Sequence, residues 1–190
     1  MKTLFVGLAV LALVCAGWAQ TPTDVFHITV TVNQLGVTLY QDDGATAYGT
    51  WALGNMPAGA TAGMSFDNPD VGSDDHVEAF NSGNCNADLF VYSTEPAAPG
   101  ACGFGTPTAW APGLAAGADI YMLECGEGDE ATLPGSYIVC DGANLGAADQ
   151  VAAGLPSAAT SDLFFNFTTP TSVSDGCGHD VTVTVVAVSP

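Results

Sequence analysis

Residues 26–33 read Phe-His-Ile-Thr-Val-Thr-Val-Asn, with apolar and polar side chains in strict alternation. A period of two puts Phe26, Ile28, Val30 and Val32 on one face of an extended chain, so this segment predicts a half-buried strand. The end of the chain repeats the pattern, with Val181, Val183 and Val185 separated by Thr182 and Thr184. Between them, runs rich in β-branched and aromatic residues predict strands at 37–41, 48–53, 60–66, 76–80, 87–93, 120–124, 136–140 and 163–168. Gly, Pro, Asn and Asp crowd 42–44, 55–59, 81–84, 95–113 and 170–178, as turns and loops require. Residues 144–153, where alanines recur without an apolar stripe, read as loop or one or two turns of helix. About ten short strands with this punctuation make a sandwich or a barrel. The expected fold class is all-β, an immunoglobulin-like antiparallel sandwich with long Gly/Pro-rich loops.

One stretch adds a family likeness. Residues 51–60 are Trp-Ala-Leu-Gly-Asn-Met-Pro-Ala-Gly-Ala, followed by Val77–Phe80, then Asn81-Ser-Gly-Asn84, then Ala87-Asp-Leu-Phe-Val-Tyr-Ser93. This resembles secreted immunoglobulin-like sandwiches of bacteria and archaea, in which Gly-x-x-x-Ala-Gly introduces a strand and Asn-x-Gly-Asn turns between two more. It is also similar to the TasA and camelysin group of extracellular matrix-fibre subunits. The resemblance implies a sandwich and a self-associating extracellular role. The chain departs from that group in its cysteines and its lack of lysine.

The N-terminus changes the picture of where the domain works. Met1 and Lys2 precede an apolar run from Leu4 to Cys15 and the small-residue stretch Ala16-Gly-Trp-Ala19, the three-part pattern of a secretory signal peptide. The run is shorter than the about 20 residues that a bilayer core requires, which disfavours a membrane anchor. Lipidation at Cys15 is disfavoured by Val14, where such sites want a small residue. Residues 1–19 are therefore expected to be a signal peptide cleaved after Ala19, and 20–190 a single β-sandwich domain, secreted to the cell surface or beyond. No later segment is long and apolar enough to span a membrane, so no span is expected in the mature chain.

Charge narrows the function. Lys2 is the sole Lys or Arg against 20 Asp and Glu residues. A domain without permanent cations repels phosphate backbones, so nucleic acid is excluded as a partner, and lysine-based cross-linking is impossible. The same charge makes copies repel one another at neutral pH unless protons, salt or divalent cations screen it.

Beyond Cys15 stand Cys85, Cys102, Cys125, Cys140 and Cys177, in a compartment where disulfides persist. Spacing favours Cys125 with Cys140, on two expected strands joined by a Gly, Glu and Pro-rich loop, and Cys85 with Cys102. Cys177 is left over, free or paired between subunits.

Candidate chemistry is sparse. Asp67, Asn68, Asp70, Asp74 and Asp75 crowd one loop and could supply the oxygen ligands of a calcium site; the competing reading is a solvated acidic loop. Glu127, Asp129 and Glu130 form a second such loop. His27, His76 and His179 have no spacing that makes them meet, so exposed or capping roles are expected of them. Trp51, Trp110, Tyr92, Tyr121 and Tyr137 could line a sugar-binding face or, alternatively, pack in the core. Asn166-Phe167-Thr168 is a glycosylation sequon embedded in an expected strand. No Gly-x-Ser-x-Gly sequence occurs, and no enzyme is expected. No cofactor is expected other than calcium. The expected function is an extracellular structural or interaction protein, a self-associating fibre or matrix subunit; the alternative is a monomeric carbohydrate- or calcium-binding module.

Overall fold

The computed structural model describes residues 33–64, 76–95, 107–129 and 132–190. The chain divides into two units, Met1–Val32 and Asn33–Pro190, and the first lies outside the described residues. The expected leader and the expected assembly face of Phe26, Ile28, Val30 and Val32 fall there.

The described strands are β1 (Val37–Tyr40), β2 (Thr61–Gly63), β3 (Val77–Asn81), β4 (Ala87–Thr94), β5 (Ala111–Pro112), β6 (Ile120–Gly128), β7 (Ile138–Val139), β8 (Asp149–Leu155), β9 (Thr160–Thr168) and β10 (Thr182–Val188). One sheet runs β1-β3-β9-β6-β5, with β2 also paired to β9 and β7 to β6. The second sheet is β10-β4-β8. Every pairing is antiparallel except the short β5–β6 contact. The two sheets pack face to face, so the fold is an all-β sandwich.

Alternation builds the core. In β4, Ala87, Leu89, Val91 and Ser93 are buried while Asp88, Phe90, Tyr92 and Thr94 face outward. In β3, Val77, Ala79 and Asn81 point inward. Leu163, Phe165 and Phe167 of β9 and Tyr121, Leu123 and Cys125 of β6, in the same sheet as β3, are buried with them. A fully buried side chain of the size of Leu89 or Leu163 contributes about 1.5–3 kcal/mol through water exclusion. Tyr121 and Ser93 tie the sheets together: the phenol donates to Ser93 Oγ at 2.9 Å. Burial pushes that phenol up to about 12 against the Ser93 bond, which lowers it.

The turn at 81–84 carries the sharpest local chemistry. Asn81 is fully buried, and its Nδ2 donates to the carbonyls of Cys85 and Leu155, both at 2.9 Å, while Oδ1 accepts from the Gly83 amide at 3.0 Å. Asn84 accepts from the Gln34 amide through Oδ1 at 2.7 Å. In the first hairpin, Asp43 accepts from the Thr46 hydroxyl and from the Thr46 and Ala45 amides, which hold its carboxyl below the usual range.

Three expectations about elements differ from the structure. Residues 48–53 form no strand; after the Tyr40–Ala47 bridge the chain turns away. Residues 144–153 hold one 3-10 turn, Leu145–Ala147, and then open β8. The alanines of β8 become a strand because β4 pairs with them, with register shifts near Leu89 that Gly154, at φ 65°, accommodates. The third is β5, two residues inside what reads as loop.

Candidate functional site

β4 ends at Thr94, and the next residue, Glu95, points into the protein where two other segments converge. One is 107–110, leading to β5; the other is 175–179, leading to β10. His179 lies at the junction. Its Nδ1 is 3.1 Å and 3.2 Å from the two oxygens of Glu95, and its Nε2 is 3.1 Å from Asp175 Oδ1. The side chains of His179, Glu95 and Asp175 are 3%, 2% and 1% exposed, so water competes little for these contacts. Trp110 stacks on the imidazole, ring centroids 3.8 Å apart and planes 15° from parallel. The Trp110 amide donates to Glu95 Oε2. The Thr108 and Cys177 amides donate to Asp175 Oδ2 and Oδ1, at 2.8 Å and 3.1 Å. Burial pushes the Asp175 carboxyl up, but those two amides and His179 outweigh it and hold the group below the usual carboxylate range.

This arrangement stores charge and does not present it. Both ring nitrogens are engaged by carboxylates. The imidazole separates the two carboxylates, so a single ion could not touch all three groups. Among the described residues, no group of three His, Cys, Asp or Glu side chains forms a metal-holding set.

The second described histidine differs. His76, expected like His179 to be exposed or capping, is 4% exposed. It sits beside the Phe164 ring, centroids 5.3 Å apart, with Nε2 3.7 Å from Asp162 Oδ1 and no hydrogen-bond partner on that nitrogen among the described residues. Asp162 stands directly opposite Glu78 in the β3–β9 register. His27 lies outside the described residues.

The cysteine pairing is corrected. Cys85, Cys125 and Cys140 are free thiols, so the expected Cys125–Cys140 and Cys85–Cys102 bonds are not formed. Register explains the first: Cys125 pairs with Ile138, and the Cys140 amide bonds to the Leu123 carbonyl, making the cysteines diagonal neighbours. Diagonal Cα atoms lie about 7–8 Å apart, beyond what a disulfide spans. Burial pushes the Cys125 thiol well above its ordinary value and, with Asp149 nearby, pushes Cys140 to about 12. Cys177, expected free or intermolecular, is disulfide-bonded. Cys102 lies outside the described residues.

Asp67, Asn68, Asp70, Asp74 and Asp75 lie outside the described residues. In the second acidic loop, Glu127 accepts from the Ser161 hydroxyl at 2.8 Å, Asp129 exchanges backbone bonds with Thr132, and Glu130 is not described. Of the aromatic residues, Tyr121 is fully buried, Trp51, Trp110 and Tyr137 are partly buried and pack against the core, and Tyr92 faces outward on β4. In the sequon, Phe167 and Thr168 are buried in β9.

The Glu95–His179–Asp175 set was missed because its members are distant in sequence and each has an ordinary neighbourhood. The lack of any Lys or Arg beyond Lys2 was the available signal, since a buried carboxylate must then find a histidine, a hydroxyl or a backbone amide. Among the described residues, no helix is long and apolar enough to cross a membrane. No family model, curated protein or solved structure matches the chain.

Proposed function

We propose that this chain is an extracellular structural or interaction protein, a fibre or matrix subunit that self-associates by strand pairing at a sheet edge. The observation that carries the reading is β10. One side of it pairs with β4 from Thr182 to Val188, and among the described residues no strand pairs with its other side. A row of unpaired amides and carbonyls is a template for another chain. The alternating segment with Phe26, Ile28, Val30 and Val32 is a suitable strand for a neighbouring copy to donate. The apolar leader supports export, and the resemblance at 51–93 supports an immunoglobulin-like subunit of the TasA and camelysin kind.

Charge opposes association at neutral pH and low salt, so acid or divalent cations promote it. Light scattering of the exported protein across pH and calcium concentration tests this. Association under acid or calcium, abolished by Val30→Pro, is the expected result. A protein that stays monomeric at high concentration throughout overturns the proposal in favour of a monomeric carbohydrate- or calcium-binding module.

A further inference from the structure

The hydrogen bonds around His179 determine where protons sit. Both oxygens of Asp175 accept backbone amides, from Thr108 and Cys177, and Oδ1 also faces Nε2 of the imidazole. A carboxyl with both oxygens so engaged is an acceptor, so Asp175 is ionised and Nε2 carries a proton. On the other side of the ring, Nδ1 faces both oxygens of Glu95, and Oε2 already accepts the Trp110 amide. An unprotonated ring nitrogen and an ionised carboxylate are both acceptors. Buried face to face at 3.1 Å, they would leave each other unsatisfied, at a cost that folding avoids. A proton therefore lies between them. Two features put it on the nitrogen: Glu95 serves as an acceptor for Trp110, and the flat stack on the indole favours a cation.

We propose that His179 is a stored imidazolium at neutral pH, and that its second proton latches the start of β10 to the end of β4 and to the 107–110 segment. Among the described residues, the groups facing it are Glu95, just after β4, and Asp175 from the loop before β10. Asp180, next in the chain, is exposed, and the Tyr121 phenol of β6 stands behind Ser93. Segment 107–110 brings no titratable side chain, and the disulfide-bonded Cys177 does not titrate. Losing the Nδ1 proton turns one carboxylate–cation contact into an acceptor–acceptor contact, so the latch holds with the proton bound and opens as pH rises. It stands whether or not the subunits associate.

Nitrogen-15 NMR of the imidazole side chains in the exported protein, with His179 assigned by its loss in His179→Gln, tests the protonation state directly. Both His179 ring nitrogens protonated at neutral pH is the expected result. Either an unprotonated Nδ1 beside an ionised Glu95 or a proton resident on Glu95 overturns the proposal. The latch itself is read in a Trp51→Phe background. Raising the pH should relieve quenching of Trp110 by the stacked cation and lower hydrogen-exchange protection of the Thr108, Trp110 and Cys177 amides about tenfold relative to the core. The Gln side chain offers a donor at one end only, so His179→Gln should show the opened state at every pH. A Trp110 step that survives His179→Gln overturns the latch, and the wild-type spectra decide the question if that variant does not fold.

Discussion

His76 and His179 are both buried and both face carboxylates, yet their settings differ. His179 has an acceptor on each ring nitrogen, from segments before β10 and after β4, and an indole against its face. His76 lies at the start of β3 with Nε2 3.7 Å from Asp162, too far for a hydrogen bond, beside an apolar ring. The contrast teaches that burial next to an acid is not enough to integrate a histidine. At His179 backbone amides hold both acids, Asp175 by Thr108 and Cys177 and Glu95 by Trp110, whereas His76 has no hydrogen-bond partner on Nε2 among the described residues.

The contrast predicts a ranking of substitutions. His179→Phe keeps a ring on Trp110 but leaves two buried carboxylates without their cation, and the expected loss is about 3–5 kcal/mol in equilibrium denaturation. A loss no larger than the about 1 kcal/mol of a surface pair would place His179 in the same class as His76. The acid side of the site has its own signature. Because the Asp175 carboxyl is held below its ordinary 3.8, its contribution is present above that value and lost as pH falls through the lower folded one. Unfolding of wild type and Asp175→Asn measured from neutral pH downward should therefore show a gap that narrows in acid; a constant gap would contradict the assignment.

Smaller effects bracket the comparison. Tyr121→Phe removes a neutral hydrogen bond between the two sheets and should cost about 1 kcal/mol, giving a scale for what charge adds at His179. His76→Phe should change stability by less than about 1 kcal/mol, in the stabilising direction, because an apolar ring beside Phe164 replaces a nitrogen that has no hydrogen-bond partner among the described residues. A large loss in His76→Phe, measured in the same denaturation series, would show that its contact with Asp162 carries weight the geometry does not suggest.

Parts of this architecture were legible in advance. The alternation in Ala87-Asp-Leu-Phe-Val-Tyr-Ser93 announced β4, and Asn81-Ser-Gly-Asn84 announced its turn, because both depend on residues adjacent in the chain. β8 was not legible: Gln150-Val-Ala-Ala-Gly154 has no strong periodicity and becomes a strand only against β4. The cysteine pairing failed for a related reason. Loop length suggested that Cys125 and Cys140 could bond, but register decides which side chains are opposite, and register is a property of two strands together.

By itself the sequence determined that the protein is built of strands, through its period-two runs and its turn residues. It also determined that any buried acid must be satisfied without Lys or Arg, since Lys2 is the single residue of either kind. Only the tertiary structure decided which histidine meets which acid. Glu95 and His179 lie 84 residues apart, and they meet because β4 and β10 pair, a long-range event that no local pattern encodes.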